Sequence, residues 1–555
     1  MRRWNGWGDT SVEMPLNQAA LHFLAERLGS GHPAGEVTLE SVSPKVTNSR
    51  LPAHPLVKTD AGARIIASLG QSLPDWLRMK YGEIGPVPDA VATPTSGEQV
   101  RQLLDYANTQ QAVVIPYGGG TSVVGHLACP QGEKPVLCID LSQLNQLTQL
   151  NPESRLATFG AGVVGPKLEE QLKAKGYTLG HFPQSFEYST LGGWVVTRSS
   201  GQQSRKYGRI EQLFAGGKLE APVGTIDIPT FPASSAGPDL REMIMGSEGR
   251  LGILTEATVR VTPLAEHESF HALFFPTWSA AEAAARELAQ STLPLSMLRL
   301  SNAVETETNL ILAGHAKLIA WLNRYLGWRG CNEGKCLLMI GVTGPLVECR
   351  HALRSTRAIS SKYGGVYIGT KLGDRWAQNR FRGPYLRNTL WQHGYAVDTV
   401  ETAADWPRIT PLMQAMEAAA HAAFAQHGEK VHAFTHLSHL YPQGSSVYST
   451  FVYRVAPGGY AENLQRWKTF KQAVSEAIVK GGGTISHQHG VGKDHAPYLA
   501  AEKGPLGIGA IQTLAHYFDP QGMMNPGKLL GSVDVRFADR VSPGNGLEQG
   551  VERDE

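Results

Sequence analysis

The chain is poor in cysteine and has no excess of charge of either sign. Only 5 of its 555 residues are cysteine, and no C-x-x-C motif occurs. So few cysteines, in an odd number, argue against a disulfide framework and against a zinc or iron–sulfur site. Lysine and arginine number 51, and aspartate and glutamate 49, for a net charge of +2. Without a basic excess we expect no general binding of nucleic acid.

Long hydrophobic runs are also missing. No apolar stretch reaches the length that a membrane-spanning helix needs. The basic start, Met1–Arg3, is not followed by the apolar segment of a signal peptide. The last residues, VERDE, match no retention or peroxisomal signal. We therefore expect a cytoplasmic protein, with no bound metal.

Glycine and proline, in contrast, are abundant, with 61 and 33 residues. Hydrophobic residues make up 42% and charged residues 18%, which is typical of a globular chain with a full core and many shaped loops. At about 150 residues per domain, this length predicts several units. Strands and helices alternate from about residue 91, and longer helices with separate strands follow from about residue 266.

The first candidate ligand loop is Gly118–Ser122, directly after the apolar strand Ala112–Pro116. Three consecutive glycines remove Cβ atoms, so that backbone N–H groups can turn inward and form an anion nest. Thr121 and Ser122 add hydroxyl donors for phosphate oxygens. The loop has no lysine of the G-x-x-x-x-G-K-[ST] type, so nucleotide hydrolysis is not predicted.

A second glycine motif, Gly160–Gly165, formally matches the dinucleotide-binding fingerprint. That fingerprint requires a further strand that ends in an acidic residue about twenty positions later. The corresponding stretch here is Gly180–Gln184, and the nearby Glu187 is in no apolar strand. We interpret Gly160–Gly165 as a tight strand-to-helix turn and reject a nicotinamide-binding Rossmann domain.

Three further segments concentrate glycines, hydroxyl groups and arginine. They are Ser189–Trp194, Thr197–Gly201 and Gly246–Gly252. Glycines at such intervals allow a planar ring to lie against the backbone. Each segment alone could be an ordinary turn, but several in one region indicate a ligand site.

These loops, in their order and spacing, resemble the FAD-binding proteins of the vanillyl-alcohol-oxidase type. The resemblance implies FAD as the cofactor and an α+β fold: two α/β FAD-binding subdomains of the PCMH type with an α+β cap domain over the flavin ring. The flavin contacts that it implies are Pro116, Tyr117, Gly118, Gly119, Gly120, Thr121, Ser122, Gln184, Ser185, Phe186, Glu187, Tyr188, Ser189, Thr190, Thr197, Arg198, Ser199, Ser200, Glu248, Gly249, Arg250, Leu251, Gly252, Ile253 and Leu254.

The resemblance, together with the change in the pattern of strands and helices near residue 266, predicts five segments along the chain. They are an N-terminal segment (1–84), an FAD-binding domain (85–265), a cap or substrate domain (266–470), a C-terminal segment that closes the active site (471–530) and a loose tail (531–555).

Within this group the chain is most similar to the alkyldihydroxyacetonephosphate synthase (alkylglycerone-phosphate synthase) family, including its bacterial members. The likeness is carried by Arg3–Gly8, Ser486–Lys493 and Asp519–Lys528. It implies an alkyl transferase that exchanges the acyl group of acyl-dihydroxyacetone phosphate for a long-chain alcohol, a step of ether-lipid biosynthesis. In the implied mechanism a base removes a C1 proton, and the flavin ends the cycle in its starting redox state.

The same resemblance implies four site residues: Tyr448 as the acid/base, His487 and His489 as catalytic histidines, and Arg382 as a substrate-binding residue. Their chemistry agrees in part, since a phenol relays protons when a histidine is close and a guanidinium captures carboxylate or phosphate. Without the resemblance, a packing tyrosine and a solvated arginine are the better explanations of Tyr448 and Arg382, and satisfied loop histidines explain His487 and His489 equally well. His436 is a further pocket candidate.

Three other positions leave alternatives open. His439 is a pocket candidate like His436, or a satisfied histidine. Gln488 stands where the family pattern has the middle one of three consecutive histidines, and glutamine cannot carry a proton at neutral pH. If that histidine is needed, the alternative function is an FAD-linked dehydrogenase or oxidase of a 2-hydroxy acid or alcohol. His126 is a candidate residue for covalent attachment of the flavin, although an ordinary loop histidine is the preferred interpretation.

We expect the partners to be a small-molecule or lipid substrate and a second copy of the chain in a homodimer. A lipid substrate would also call for peripheral contact with a membrane. A flavin-binding module without turnover is the remaining, least favoured hypothesis.

Overall fold

The computed structural model describes residues 1–33 and 35–530. The predicted loose tail, 531–555, lies outside the described residues. The described chain is a mixture of helices and sheets, as the sequence predicts. None of its helices is both long enough and apolar enough to cross a membrane.

The strands of residues 1–33 and 35–530 belong to four sheets. In chain order they are β1 (Val57–Lys58), β2 (Ala90–Ala92), β3 (Val113–Tyr117), β4 (Val136–Asp140), β5 (Leu147–Asn151), β6 (Leu156–Gly160), β7 (Tyr177–Thr178), β8 (Phe214–Ala221), β9 (Gly224–Ile228), β10 (Ile253–Arg260), β11 (Thr262–Pro263), β12 (His267–Phe275), β13 (Leu295–Ser301), β14 (Cys336–Gly344), β15 (Val366–Gly369), β16 (Tyr395–Asp405), β17 (Val431–Leu437) and β18 (Gly444–Arg454).

The α-helices are α1 (Gln18–Leu28), α2 (Leu39–Val42), α3 (Ala61–Ala67), α4 (Leu73–Tyr81), α5 (Gly97–Thr109), α6 (Gly165–Lys173), α7 (Leu191–Thr197), α8 (Ser204–Tyr207), α9 (Ile210–Leu213), α10 (Leu240–Ile244), α11 (Trp278–Gln290), α12 (Ala303–Ala313), α13 (Ala316–Trp328), α14 (Leu346–Lys362), α15 (Lys371–Asn379), α16 (Leu386–Gln392), α17 (Trp406–Ala425), α18 (Gly459–Lys480) and α19 (Leu499–Phe518). Short 3₁₀ turns span Ser43–Lys45, Gly383–Tyr385 and Ala496–Tyr498.

Two sheets carry the glycine loops. The first has the order β1-β2-β4-β3, with β2, β4 and β3 parallel, and the second has the order β5-β6-β10-β8-β9. In the second sheet β6 pairs antiparallel with both β5 and β10. Because Gly160–Gly165 follows β6, it is a turn at the end of an antiparallel strand. This confirms the rejection of a Rossmann fingerprint at this motif.

The third sheet has seven antiparallel strands in the order β15-β12-β14-β13-β17-β18-β16. Helices α11, α14, α17 and α18 bury their apolar sides against one face of it. Since side chains alternate between the two faces of a strand, every second residue of β13, β16, β17 and β18 is directed to the other face. That other face forms one wall of the site described below.

The C-terminal segment returns to the first sheet. Val114 in β3 donates its N–H to the carbonyl of Met523 and accepts the N–H of Asn525, both at 2.8 Å. Met523 and Met524 are buried in the core of that sheet. The last described segment is thereby attached to the strand that ends in the Gly118–Ser122 loop.

Candidate active site

A cavity of about 640 Å³ lies between the glycine loops and the seven-stranded sheet. Its wall on the sheet side contains Arg299 of β13, His436 of β17 and Tyr448 of β18. The opposite wall is made by the Gly118–Ser122 loop and the other glycine-rich segments. The fold thus places the predicted cofactor loops and most of the predicted catalytic groups around one cavity.

Most predicted flavin contacts line this cavity: Pro116, Tyr117, Gly118, Gly119, Gly120, Thr121, Ser122, Gln184, Ser185, Ser189, Thr190, Thr197, Ser199, Ser200, Glu248, Gly249, Gly252, Ile253 and Leu254. The remaining ones are outside its wall: Phe186, Glu187, Tyr188, Arg198, Arg250 and Leu251. Arg198 pairs with Glu242 at the surface, and Phe186 and Leu251 are buried in the core of the second sheet. All of these except Glu187 are adjacent in sequence to wall residues but are not part of the wall themselves.

The Gly118–Ser122 loop has the form of a cradle for an anionic cofactor. A Cβ on Gly119 would collide with the carbonyl of Tyr188, and Gly120 has φ +63°, a conformation that favours glycine. Arg2 donates to the carbonyl of Gly119 at 2.5 Å and places a cation beside the loop. These residues therefore fit the phosphates and ring of FAD. Arg2, which hydrogen-bonds this loop from outside the cavity wall, is a residue that sequence reasoning missed.

Glu248 connects the cofactor loops to the C-terminal segment. Its carboxylate accepts the N–H of Val491 at 2.5 Å and of Gly492 at 2.8 Å, so its charge is directed away from the cradle. His126 is placed between this carboxylate and the cradle: Nε2 lies 3.0 Å from Glu248, and Nδ1 lies 2.7 Å from the Ser122 hydroxyl. With both ring nitrogens in these contacts, the geometry favours the loop-histidine interpretation over covalent attachment.

Tyr448 stands at the centre of the polar wall. In the strand register it is opposite His436 on one side and Glu401 on the other. Its ring stacks on His436 at 4.8 Å between centroids and meets His489 edge-on at 5.7 Å. Burial raises the pKa of Tyr448 to about 12, so the phenol keeps its proton at neutral pH.

Glu401 holds the loop that carries the predicted histidines. One carboxylate oxygen accepts the backbone N–H groups of Gln488 and His489, each at 2.7 Å. Burial alone would raise the pKa of Glu401, but His489, His487 and the backbone N–H of Gln488 together hold it well below its usual value. Sequence reasoning missed Glu401. Its only local signal is a single carboxylate within a strand.

The two predicted catalytic histidines have different positions. His489 lines the cavity, as does Gln488, whereas His487 is behind the wall. His487 Nε2 accepts hydrogen bonds from Tyr441 at 2.7 Å and Arg209 at 2.8 Å. Burial lowers the pKa of both histidines, which keeps them neutral near pH 7.

The pocket candidates His436 and His439 both line the cavity. Nδ1 of His436 lies 3.0 Å from Glu305, which also accepts from Arg299 at 2.7 Å. Burial, assisted by the Arg299 charge, lowers the pKa of His436. His439 contacts the hydroxyls of two serines on the cofactor side, including Ser200 at 3.2 Å.

Arg382, the predicted substrate-binding residue, is not part of the cavity wall. Its guanidinium lies over the ring of Tyr385, 5.7 Å from the centroid. The wall instead contains Arg380 and Arg387 on the same stretch of chain. Arg387 donates to the carbonyl of Gln71 at 2.8 Å and stacks on Trp76. Nothing in the local sequence distinguishes these arginines from Arg382.

The Arg3–Gly8 motif packs against Tyr385 and the start of α16. The backbone N–H and carbonyl of Trp7 exchange hydrogen bonds with the Asn388 amide at 3.0 and 2.9 Å. Gly8 has φ +80°, and a Cβ there would collide with Tyr385. The N-terminal motif is therefore a brace for α16, the helix that carries Arg387.

Family comparisons agree with this architecture. Residues 88–227 match the family described as FAD binding domain, and residues 264–529 match FAD linked oxidases, C-terminal domain. Fold and cradle define an FAD-dependent enzyme of the vanillyl-alcohol-oxidase type, which confirms the predicted fold class and cofactor.

Individual similar proteins identify the family within this type of FAD-dependent enzyme. An alkyldihydroxyacetonephosphate synthase from Dictyostelium discoideum is 31% identical over 86% of this chain and 79% of its own. A solved alkyldihydroxyacetonephosphate synthase structure has a TM-score of 0.81 at 28% identity, over 95% of this chain and 98% of that one. A mitochondrial D-lactate dehydrogenase (cytochrome) from Arabidopsis thaliana is 26% identical over 80% of this chain and 74% of its own. The chain belongs to the alkyldihydroxyacetonephosphate synthase family.

Proposed function

We propose that this enzyme exchanges the acyl group of acyl-dihydroxyacetone phosphate for a long-chain alcohol. The observation that carries the proposal is a single cavity in which the FAD cradle, the Tyr448–His489 pair and an apolar wall meet. The apolar wall is formed by α1, α12 and α16, which contribute Phe23, Leu24, Ile311, Leu312 and Leu390. Such a wall suits an alkyl chain, whereas a small hydroxy acid has no use for it.

The side chains around Tyr448 can supply the required proton transfers. The chemistry that bound FAD supplies is an electron-accepting ring, which ends the exchange in its starting redox state. Tyr448 holds its proton at neutral pH, whereas His436 and His489 are neutral and can each accept one. Tyr448 therefore acts as an acid, or as a relay to a histidine, and Glu401 positions the His489 loop. Arg387, a wall guanidinium five residues after the predicted Arg382, can hold the leaving carboxylate.

The test is anaerobic mixing of the oxidised holoprotein with acyl-dihydroxyacetone phosphate and labelled hexadecanol. D-lactate and glycolate are run in parallel while the flavin absorbance is followed. Labelled ether with no lasting loss of oxidised flavin is expected. Flavin bleaching by a hydroxy acid, with no ether formed, would contradict the proposal and favour the dehydrogenase function.

We also propose that helix α13 provides a peripheral contact with a membrane. Leu318, Trp321 and Trp328 on this helix are 61%, 67% and 81% exposed. The helix also carries Lys317 and Arg324. It follows α12, whose last turns line the apolar part of the cavity, so a lipid substrate could enter there.

Sedimentation with anionic phospholipid vesicles tests this contact. The double variant Trp321→Ser and Trp328→Ser should lose most vesicle binding, because aromatic side chains anchor helices at the interface. Tyr517→Ser removes a comparably exposed aromatic residue (71%) from α19 and is the matched control. Equal binding by all three proteins would contradict the contact.

A cytoplasmic homodimer that binds no nucleic acid is the remaining part of this proposal. The near-zero net charge supports the expectation that the protein binds no nucleic acid. Sedimentation equilibrium of the holoprotein tests the dimer, since a mass of one chain would contradict it.

A further inference from the structure

Two guanidiniums in the cavity wall form no ion pair with a carboxylate of the described residues. They belong to Arg380 and Arg387. The third wall arginine, Arg299, is neutralised by Glu305 at 2.7 Å. The proposed substrate has one permanent anion, its phosphate, and releases a second, the carboxylate of the departing acid. Two unpaired cations in one cavity match these two anionic groups.

Arg380 is held in one orientation. It donates to the side-chain carbonyl of Gln203 at 3.1 Å, and its Cζ lies 4.6 Å from the ring centroid of Phe182 and 5.0 Å from that of Phe381. Gln203 donates in turn to Glu268 at 2.7 Å, which fixes the direction of its amide. A guanidinium has five N–H donors, and only one is used by a described residue here. The others remain for a ligand.

The surroundings of Arg380 suit a phosphate more than a carbonyl or an alkyl group. Asn379 and Gly383, on either side of it in sequence, are both exposed and both line the cavity, so this part opens to solvent. A phosphate dianion bound here keeps part of its hydration, which limits the cost of burying two charges. The side-chain amide of Gln202, whose backbone N–H donates to Phe182, lines the same part and can add a neutral hydrogen bond.

Arg387 has a different position. It is partly buried on α16, which packs against β16, the strand that pairs with Tyr448 of β18. It is therefore on the side of the cavity where the reacting carbon must meet Tyr448. The carboxylate of the leaving acid is formed at that carbon, so Arg387 is the partner for this group and Arg380 for the distant phosphate.

We propose that Arg380, supported by Gln203 and the two phenylalanine rings, binds the phosphate monoester of the substrate. This assignment rests on the proposed function. It excludes Arg382 from phosphate binding, although Arg382 is only two residues away, because its side chain stacks on Tyr385 outside the cavity wall. Arg382 is therefore a matched control.

The test measures binding and does not require turnover. Dihydroxyacetone phosphate is titrated calorimetrically into the oxidised holoproteins of the wild type, Arg380→Gln, Arg380→Lys and Arg382→Gln. We expect Arg380→Gln to weaken binding about 30- to 100-fold through loss of charge-assisted hydrogen bonds, and Arg380→Lys about 10-fold. Arg382→Gln should bind within about 2-fold of wild type. Unphosphorylated dihydroxyacetone should not distinguish the variants.

Equal phosphate binding by wild type and both Arg380 variants would overturn the assignment, as would an equal loss in Arg382→Gln. Absence of binding to the wild type at millimolar ligand would also overturn it. FAD content and the melting temperature of each variant identify a misfolded protein, and the lysine variant retains the charge if the glutamine variant does not fold. If binding depends on Arg380 but no ether is formed, the proposed function fails and the phosphate site stands. If Arg380→Gln makes ether with an unchanged KM, the function stands and the site fails.

Discussion

The two walls of the cavity are built in opposite ways. The cofactor wall consists of short, continuous loops in which the backbone makes the surface and glycine leaves room for the ligand, as at Gly118–Gly120. The sheet wall consists of single side chains from separate strands, such as Arg299, His436 and Tyr448. The cofactor wall depends on the absence of side chains from a continuous segment. The sheet wall depends on which residues the strand register brings opposite each other. A substitution in the cofactor wall should therefore cause loss of bound FAD. A substitution in the sheet wall should leave FAD bound and reduce the rate of the reaction.

The largest expected effect is on the cofactor wall. Gly119→Ala introduces a Cβ into the carbonyl of Tyr188, so the cradle must open. We expect FAD content after purification to fall more than about 10-fold, since a shift of this loop removes several phosphate contacts. Gly509→Ala is the control, because a Cβ there meets no atom. Flavin absorbance per protein measures both, and full FAD content in Gly119→Ala would show that the cradle is not the cofactor site.

The corresponding change on the sheet wall is Tyr448→Phe. It removes one hydroxyl and keeps the stacking on His436, so FAD content and stability should be unchanged. We expect ether formation to fall about 10²- to 10⁴-fold, the usual contribution of an acid/base group. A variant with bound FAD and the wild-type kcat would contradict the proposed role of Tyr448. Such a result would also remove the functional difference between the two walls.

Glu401→Gln tests how the sheet wall holds the His489 loop. One side-chain oxygen can still accept from Gln488 and His489, but the charge is lost. We expect about 2 kcal/mol less free energy of unfolding and a loss of ether formation of about 10-fold. Because the pKa of Glu401 is held below its ordinary value of 4.5 in the folded state, its stabilisation is complete above that pH and is lost as the pH falls further.

Urea denaturation of the wild type and of Glu401→Gln at a series of pH values checks this sign. The stability difference between the two proteins should be greatest above pH 5 and should shrink as the pH is lowered. A difference that grows on acidification would mean that Glu401 is protonated in the folded wild type.

The smallest expected effect is that of Gln488→His, which restores the family pattern at a position in the cavity wall. A further histidine in the cavity wall, beside His489, adds a proton carrier without disturbing Tyr448. We expect ether formation to rise by less than about 10-fold, with one additional ionisation in the pH–rate profile. Superimposable profiles would mean that position 488 takes no part in proton transfer. Gln488→Asn, which adds no titratable group, is the control.

Sequence patterns were most informative where a function belongs to one continuous segment. Ser96 and Gln99 form a capping-box pattern that is visible in the sequence, and helix α5 begins directly after Ser96, with Val100, Leu103 and Leu104 buried. The cofactor loops were located because glycine content is a property of the segment itself. Within those loops the direction of single side chains was not predictable, and Arg198 and Leu251 turn away from the cavity because their side chains satisfy other contacts.

The sheet wall shows where such inference ends. Tyr448 and His489 were identified through the family pattern and share the cavity, but His487, two residues away, turns behind the wall to meet Arg209 and Tyr441. Glu401 is part of no recognisable sequence motif, because the backbone N–H groups that it binds are far along the chain. Arg382 and Arg387 are chemically identical, and only the packing of α16 places Arg387 in the wall.

The sequence by itself determined the family, the cofactor, the fold class and the loops that can form the cradle, because each of these is expressed in the composition and order of local segments. The tertiary structure alone decided which side chains face the substrate, which carboxylate holds the histidine loop and which wall arginines form no ion pair within the described part of the chain. The physical reason is that the direction of a side chain and the charge around it are set by strand register and helix packing. These bring together residues that no local pattern connects.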